Sequence, residues 1–316
     1  MSTTKAPERT RRDLFGRKKR IDDLADSGVS LSADAWRRLR RNPVFLLGAG
    51  IVGVFVLVAI FADLLAPQDP GVAMLADQVV RARNAIPLPQ PGHPLGGDQY
   101  GYDLASRLLV GSRQTLLVGV LATLIGLGGG LVLGTMAGAL GGWVDTVVMR
   151  AVDVMLSIPS LLLAISITAL FSRGSLYTVI VAVAVVQIPV FARLLRGSLL
   201  AQRDSDHVLA ARSLGIKPGP IVFRHMLPNA ISPVIVQSTL VLATSIIDAA
   251  ALSFLGVGNS DRSVPEWGQM LGEAQSFIDS HPSLAFYPAG AIVVVALGFT
   301  LMGESLREAL DPRNRR

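Results

Sequence analysis

Long apolar runs separated by charged or Gly/Pro-rich segments dominate this chain of 316 residues. A helix needs about 20 predominantly apolar residues to cross the hydrocarbon core of a bilayer. Six runs come close to that length, which predicts an all-α membrane protein with about six transmembrane helices. The predicted spans are residues 44–66, 115–140, 147–171, 176–192, 231–251 and 286–302.

The distribution of Lys and Arg between the spans predicts the orientation of the chain. If the N-terminus is cytoplasmic, 23 of the 29 Lys and Arg residues fall in cytoplasmic segments, as the positive-inside rule requires. We therefore expect both termini in the cytoplasm. The predicted domains are a disordered basic tail (1–31), a short amphipathic helix (32–43), a transmembrane domain (44–304) with a cytoplasmic loop (193–230), and a C-terminal tail (305–316).

Composition narrows the class of protein further. Only 16% of the residues are charged and the mean hydropathy is +0.50, whereas about 25% of a typical soluble chain is charged. The absence of cysteine excludes disulfide scaffolds, thiolate metal sites and cysteine nucleophiles. The net charge of +6 does not indicate a nucleic-acid partner, because 12 of the 29 Lys and Arg residues lie in residues 1–43.

The predicted short helix before the first span has a basic and partly apolar character. Ser32 is a candidate N-cap, Trp36 and Leu39 are its apolar residues, and Asn42 with Pro43 ends it. Such a helix suits the anionic headgroup layer, so membrane lipids are one expected partner. The alternative is an ordinary positive flank of a span with no further role.

The second predicted span carries glycine at every fourth position, which places these residues on one helix face. Small residues at this spacing let two helix backbones approach closely. We favour an internal packing contact over a sliding surface of a moving transporter. The glycines are Gly126, Gly130, Gly134, Gly138 and Gly142.

Several motifs that carry chemistry are absent from the sequence. A phosphate-binding P-loop needs Lys followed by Ser or Thr, but Lys217 precedes Pro218 and the other three lysines lie in the polar tail. No H-E-x-x-H or G-x-S-x-G motif occurs, and the predicted topology puts the four histidines on opposite sides of the membrane. We expect no catalytic residue, no metal site and no cofactor bound by this chain.

Three polar residues inside predicted spans are candidates for a pathway or gate, because such residues are costly in a membrane. Asp153 lies three residues after Arg150, which favours a local ion pair over a gate charge. Asp248 either lines a polar pathway or stabilises a helix contact. Gln187, before Pro189, is consistent with a kink and a water-filled cavity.

The cytoplasmic loop 193–230 contains a predicted short helix. Ser205 or Asp206 can cap its start, Gly215 suits its end, and Pro218 can open a second helix that Pro228 ends. The apolar residues of the first helix indicate either docking into the groove of a partner or contact with the membrane surface. These residues are Val208, Leu209, Ala211 and Leu214.

This loop resembles the EAA loop of ABC importer permeases, whose pattern is E-A-A, three residues, G, nine residues, I-x-L-P. Ala210-Ala211, Gly215 and Leu227-Pro228 fall in register, whereas Leu209 replaces the Glu and His225 the Ile. Residues 93–107, 252–271 and 306–313 also resemble segments of the dipeptide/oligopeptide permease family. The basic tail and the short outer loop are similar to its C-type subunit.

The resemblance implies a MetI-like type I importer fold, a second B-type permease, two P-loop ATPases that bind ATP and Mg, and an extracytoplasmic solute-binding protein. The implied cargo is di- or oligopeptides, with nickel, haem or another small solute as the alternative, and a stand-alone secondary transporter or channel as a more distant one. Residues 205–215 would form the coupling helix on an ATPase. The implied coupling residues are Asp206, His207, Leu209, Ala210, Ala211, Arg212, Gly215, Leu227 and Pro228.

Overall fold

A computed structural model describes residues 36–80, 85–171 and 174–310. The predicted tail 1–31, the start of the predicted short helix and the last six residues of the C-terminal tail lie outside the described residues. In chain order the helices are α1 (Pro43–Ile60), α2 (Ala62–Leu65), α3 (Leu104–Leu140), α4 (Gly142–Ser157), α5 (Ser160–Thr168), α6 (Leu176–Gln202), α7 (Asp206–Ser213), α8 (Pro218–Pro220), a π-helix (Ile221–Met226), α9 (Leu227–Ala230), α10 (Ser232–Phe254), α11 (Trp267–Ala274) and α12 (Ser283–Leu310).

The prediction of an all-α chain with about six spans is confirmed. Five helices (α1, α3, α6, α10 and α12) are long and apolar enough to cross a membrane, and a bent pair of shorter helices brings the number to six. Within the described ranges there is no β-strand, only three isolated bridges between residues 80 and 103.

The third predicted span, 147–171, is not one straight helix. It divides into α4 and α5, which meet at an angle of 98°. Pro159 disfavours a helical conformation at the residue before it, and Ile158 is accordingly extended with φ −93° and ψ 131°. The break leaves Ser157 and Ser160 at facing helix ends.

Helix α3 is longer than its predicted span, 115–140. It begins at Leu104, because the side chain of Asp103 accepts a hydrogen bond from the backbone N–H of Ser106. It ends at Gly141, whose φ of +65° does not continue a helix. Its 37 residues make a rod about 55 Å long.

Helices α3 and α6 form the most extensive helix pair and run parallel. Gly126 lies against Gln187 near the middle of α6, and Gly138 lies against Leu199 near its end. We call the end of the bundle that holds α7 the α7 end, since α7 packs beside Leu199. The opposite end, where Trp267 of α11 contacts Gly111 at the start of α3, is the α11 end.

Four of the five glycines in the predicted row face α6. A Cβ atom on Gly126 or Gly134 would lie within 2.9 Å of a carbonyl oxygen of α6, and one on Gly130 would overlap Phe191. Gly138 meets Leu199 in the same way. The prediction is wrong for Gly142, because α3 ends before this residue and a Cβ there would meet nothing within 4 Å.

The described part of the predicted helix 32–43 is helical over residues 36–39. The guanidinium of Arg40 lies 5.0 Å above the ring of exposed Trp36, while Leu39 is buried. The Asn42 side chain accepts hydrogen bonds from Val44 and Phe45 and so starts α1. Contact of this segment with lipid headgroups stays a prediction.

Candidate functional site

Helix α7 ends in a geometry that only glycine adopts easily. Gly215 has φ +76°. Its N–H donates to the carbonyl of Arg212, and the N–H of Ile216 donates to the carbonyl of Ala211. These two bonds form a Schellman motif, which satisfies carbonyls that the end of a helix leaves free. Glycine at this position therefore fixes both the length of α7 and the direction of the chain after it.

The inner face of α7 is fixed to its own chain. Val208 and Ala211 are buried in one apolar cluster with the π-helix residues Ile221 and Met226, and the π-helix is the main neighbour of α7. Two of the four apolar residues proposed as anchors for a partner thus hold α7 in place instead. The sequence pattern did not separate these two roles, because both use apolar residues at helical spacing.

The outer face of α7 is exposed and mixed in character. Leu214 is 80% exposed and Leu209 is 44% exposed, although both are large apolar side chains. Of the other implied coupling residues, Leu227 is half-buried. Those that are exposed are Asp206, His207, Ala210, Arg212, Gly215 and Pro228.

The π-helix that supports α7 has a cause in the sequence. Pro228 has no N–H to donate to the carbonyl four residues earlier, at Arg224, and its ring would clash with that carbonyl in an α-helix. The chain widens into a π-helix from Ile221 to Met226 just before this proline. The Asn229 side chain instead donates to the carbonyl of His225 at 2.9 Å. The Leu227-Pro228 pair therefore shapes the base on which α7 rests.

A second candidate region lies between the long helices. Gln187 of α6 and Asp248 of α10 come together, with the Gln187 side-chain nitrogen 3.4 Å from an Asp248 carboxylate oxygen. Both line a cavity of about 560 Å³ whose other wall is the break between α4 and α5, including Ser157 and Ser160. Helix α6 continues through Pro189. Two of the three polar residues singled out in the spans thus share one cavity.

A neighbouring cavity of about 670 Å³ extends along the same helices. Leu156 and Val190 line both cavities, and Ser198 and Gln237 line the second only. Together the two cavities form a channel-like depression, which we call the polar groove. It continues past Ser198, near the end of α6, towards the α7 end.

Asp153 has a different partner from the one that its spacing suggested. It accepts a hydrogen bond from Arg193 of α6, and the expected pair with Arg150 is not formed. A second ion pair between the same helices joins Asp145 and Arg196 through two hydrogen bonds. Both aspartates lie on α4 and both arginines on α6. The sequence analysis did not predict the pair between Asp145 and Arg196. The only indication in the sequence was that one helix carries acidic and the other basic residues.

The α11 end contains a buried cluster of charged residues. Arg107 is fully buried, with Nε 3.3 Å from an oxygen of Asp98 and Nη2 3.8 Å from one of Glu273. Its guanidinium also donates to the carbonyl of Arg262 at 2.7 Å. Burial raises the pKa of the Asp98 carboxyl, and the guanidinium of Arg107 opposes this shift. This cluster joins two loops that are more than 150 residues apart in the sequence.

Trp267 and Glu266 complete the contact between those loops. The Trp267 indole N–H donates to the carbonyl of Leu108 at 2.8 Å. The Glu266 carboxylate caps α11 by accepting from the backbone N–H groups of Gly268 and Gln269, and burial raises its pKa. The resemblance pointed to both loops but not to their contact.

The prediction that the chain itself binds no cofactor stays a prediction. Over residues 36–80, 85–171 and 174–310, no group of three or more His, Asp or Glu side chains is arranged to hold a metal ion. The two regions with distinctive chemistry are therefore the exposed face of α7 and the polar groove.

Comparison with protein families identifies the chain. Residues 130–316 match the family described as binding-protein-dependent transport system inner membrane component, and residues 30–87 match the N-terminal TM domain of oligopeptide transport permease C. The chain belongs to this family of transport permeases. The predicted recognition as a C-type permease subunit of the dipeptide/oligopeptide family is confirmed, and with it the prediction of a non-catalytic membrane subunit.

Two curated relatives agree with this assignment over most of the permease. The dipeptide transport system permease protein DppC of Alkalihalophilus pseudofirmus is 39% identical over 287 residues, which are 91% of each chain. The glutathione transport system permease protein GsiD of Pectobacterium atrosepticum is 39% identical over 278 residues, 88% of this chain and 90% of the relative.

A solved structure supports the fold of the permease. The inward-facing MetNI methionine ABC transporter contains a chain that matches with a TM-score of 0.54 and 21% identity, over 65% of this permease and 96% of that chain. This likeness concerns the fold alone, and it confirms the MetI-like prediction. Membership of the family implies a partner permease, ATPase subunits and a binding protein, and makes this a multi-pass membrane protein.

Proposed function

We propose that this permease pairs with a B-type permease in a bacterial cytoplasmic membrane, works with two P-loop ATPases and an extracytoplasmic binding protein, and imports short peptides. The observation that supports this most directly is the exposed face of α7. A short helix with Leu209 and Leu214 in solvent, held in place by buried residues of its own chain, suits insertion into the groove of another protein.

The cargo is inferred from the relatives. Proteins 39% identical to this permease are named for dipeptide and for glutathione transport, and both cargoes are short peptides. A peptide of two or three residues is therefore the class of solute that we assign. ATP and Mg would bind to the ATPase subunits, since this sequence has no P-loop.

In the proposed mechanism α7 transmits movement from an ATPase to the membrane helices. Its inner face packs on the π-helix, and α9, which continues the π-helix, contacts α6, so a displacement of α7 is passed on to α6 through these two segments. Leu209, at the position of the family's Glu, makes an apolar contact to the ATPase. Asp206 and Arg212 supply the charged contacts beside it.

A matched pair of leucines tests this docking. Leu214→Asp places a charge on the exposed face of α7, and we expect the ATPases to be lost from the complex while the second permease is retained. Leu88→Asp is the control, because Leu88 is 70% exposed but lies in the segment before α3, at the other end of the bundle. The measurement is co-purification in mild detergent, with each subunit quantified. Retention of the ATPases by the Leu214 variant would contradict the proposed docking surface.

The proposed orientation is tested with single cysteines, since the natural chain contains none. Lys217→Cys and Ser263→Cys are both exposed positions, at opposite ends of the bundle. A membrane-impermeant maleimide should label position 263 in intact cells and position 217 only after the cells are opened. The reverse pattern would contradict a cytoplasmic α7 end.

A further inference from the structure

Asp248 lies within a candidate membrane span, yet it has no positively charged partner in the described part of the chain. Among the described residues, its side chain makes one hydrogen bond, with the amide nitrogen of Gln187 at 3.4 Å. No Lys, Arg or His of the described ranges forms an ion pair with it within 4 Å. A carboxylate at membrane depth is costly without a compensating group. A cation from outside this chain could supply that compensation.

Three other acidic residues on the helices have an arginine of the same chain as their partner. Asp145 pairs with Arg196, Asp153 pairs with Arg193, and Asp63 of α2 pairs with Arg113. Each of these pairs joins two helices of the same chain. At these three sites an arginine compensates the carboxylate, whereas Asp248, inside a candidate span, has no such partner within the described ranges.

The cavity around Asp248 has the size and the lining of a ligand site. Its volume of about 560 Å³ falls in the usual range for small-molecule pockets, about 300–1,000 Å³. Asp248 is its only charged lining residue, and the hydroxyl groups of Ser157, Ser160 and Thr244 line it as well. A small ligand with one positive group would meet one carboxylate and several neutral acceptors there.

We propose that Asp248, oriented by Gln187, binds the primary ammonium group of a short peptide as it passes through the polar groove. This site rests on the proposed function and names the part of the cargo that the permease itself recognises. Gln187 donates to one carboxylate oxygen and leaves the other available to the ligand. An ammonium group has three donors, which suits one carboxylate oxygen together with neighbouring hydroxyl groups. A peptide's α-amino group is largely protonated near neutral pH.

The first experiment measures protection of a reporter cysteine in the groove. Val190→Cys, at a position that lines both cavities and offers no ligand group, is labelled with a maleimide while dialanine or N-acetyl-dialanine is present. The assembled transporter is kept in lipid nanodiscs without nucleotide or binding protein. Leaving out the binding protein removes its own preference for a free amino group. We expect dialanine to protect the cysteine and the acetylated dipeptide to need at least about tenfold higher concentration, as for the loss of a charged hydrogen bond. Equal protection by both dipeptides, or none by dialanine, would overturn the assignment.

The second experiment removes the charge from the site. Asp248→Asn, combined with Val190→Cys, should abolish the preference for dialanine while the complex still assembles. Glu304→Gln makes the same chemical change at an exposed position of α12 and should preserve the preference. If Asp248→Asn releases the partner permease, the carboxylate serves the subunit interface and the proposal is wrong.

The two proposals fail in distinguishable ways. Co-purified ATPases and ATP-driven uptake by the wild-type complex test the proposed function without reference to Asp248. If both are present and the Asp248→Asn variant still prefers dialanine, the ammonium site alone is refuted. If the ATPases do not co-purify, the proposed function itself fails.

Discussion

The two ends of the helix bundle differ in how they use charged and apolar side chains. At the α11 end, loops distant in sequence are joined by the buried Arg107 and its two carboxylate neighbours, and by the hydrogen-bonded Trp267. At the α7 end, a short helix rests on two small buried side chains and exposes Leu209 and Leu214 to solvent. The first end pairs its buried charges within the chain, whereas the second exposes apolar surface.

This difference indicates how the permease divides its tasks. Buried charges are held only by a well-defined set of partners, so they fix the loops of the α11 end relative to one another. The α7 end needs a fixed helix but a free outer surface. The buried residues on the inner face of α7 thus hold the helix in place, and the exposed residues on its outer face remain free to contact another protein.

The largest expected effect comes from removing the charge at the centre of the α11 end. Arg107→Met leaves Asp98 and Glu273 buried without their guanidinium, and we expect a loss of about 3–5 kcal/mol in the free energy of unfolding. Arg113→Met is the control, since Arg113 pairs with the largely exposed Asp63, and there we expect at most about 1 kcal/mol. Thermal unfolding of the purified proteins in detergent provides the measurement. Similar losses in both variants would contradict a special role for the buried cluster.

A smaller effect is expected from the glycine row that runs between the two ends. A Cβ on Gly130 would overlap Phe191 of α6, so Gly130→Ala should destabilise the protein by about 1–3 kcal/mol. Gly128 lies on the same helix with nothing within 4 Å of such an atom, so Gly128→Ala should be neutral or slightly stabilising. Midpoints of thermal unfolding compare the two. Equal midpoints would show that α3 and α6 have room to separate.

Substitution of two glycines that have the same backbone geometry tests whether the two ends of the bundle differ in function. Gly215 at the α7 end has φ +76° and Gly256 at the α11 end has φ +78°, and neither has an atom within 4 Å of an added Cβ. Substitution by Val should cost about 1–2 kcal/mol locally at either site. We expect Gly215→Val to insert normally but to lose ATP-driven peptide uptake, and Gly256→Val to keep most of it. Normal uptake by the Gly215 variant would remove α7 from the coupling mechanism.

The smallest effect concerns the response of the α11 end to pH. Burial raises the pKa of Glu266 in the folded protein above its unfolded value. The folded state therefore holds this proton more tightly, and stability falls as the pH rises from the unfolded pKa through the folded one. Glu266→Gln removes this contribution, so its unfolding midpoint should fall less than that of the wild type as the pH rises above the ordinary range of a Glu carboxyl. Parallel pH profiles would show that Glu266 does not contribute.

The sequence predicted those parts of the structure that depend on local chemistry. Apolar runs located the spans, and Gly215 with Pro218 located the end of α7, because a helix needs particular residues at its end. The 98° bend between α4 and α5 was missed, since hydropathy averages over Ser157–Ser160 and does not register the effect of Pro159.

Contacts between distant segments could not be predicted in the same way. The spacing of Asp153 and Arg150 suggested a local pair, but α6 packs antiparallel to α4 and places Arg193 closer. Arg107 is seen to be buried only once the two loops of the α11 end are folded together. In contrast, Gln187 and Asp248 could be singled out separately as polar residues in spans, although their shared cavity became visible only in the fold.

The length of α3 has a mechanical consequence. One unbroken helix of about 55 Å begins beside Trp267 and ends near α7. Gly130 holds α3 against α6 about 39 Å from the start of the helix and about 15 Å from its end. A tilt of about 5° around that contact would therefore move the tip at the α11 end through roughly 3.4 Å and the tip at the α7 end through roughly 1.3 Å, in opposite directions. The helix would then act as a lever with its fulcrum at the glycine row, so that opening at one mouth of the bundle and closing at the other are a single movement.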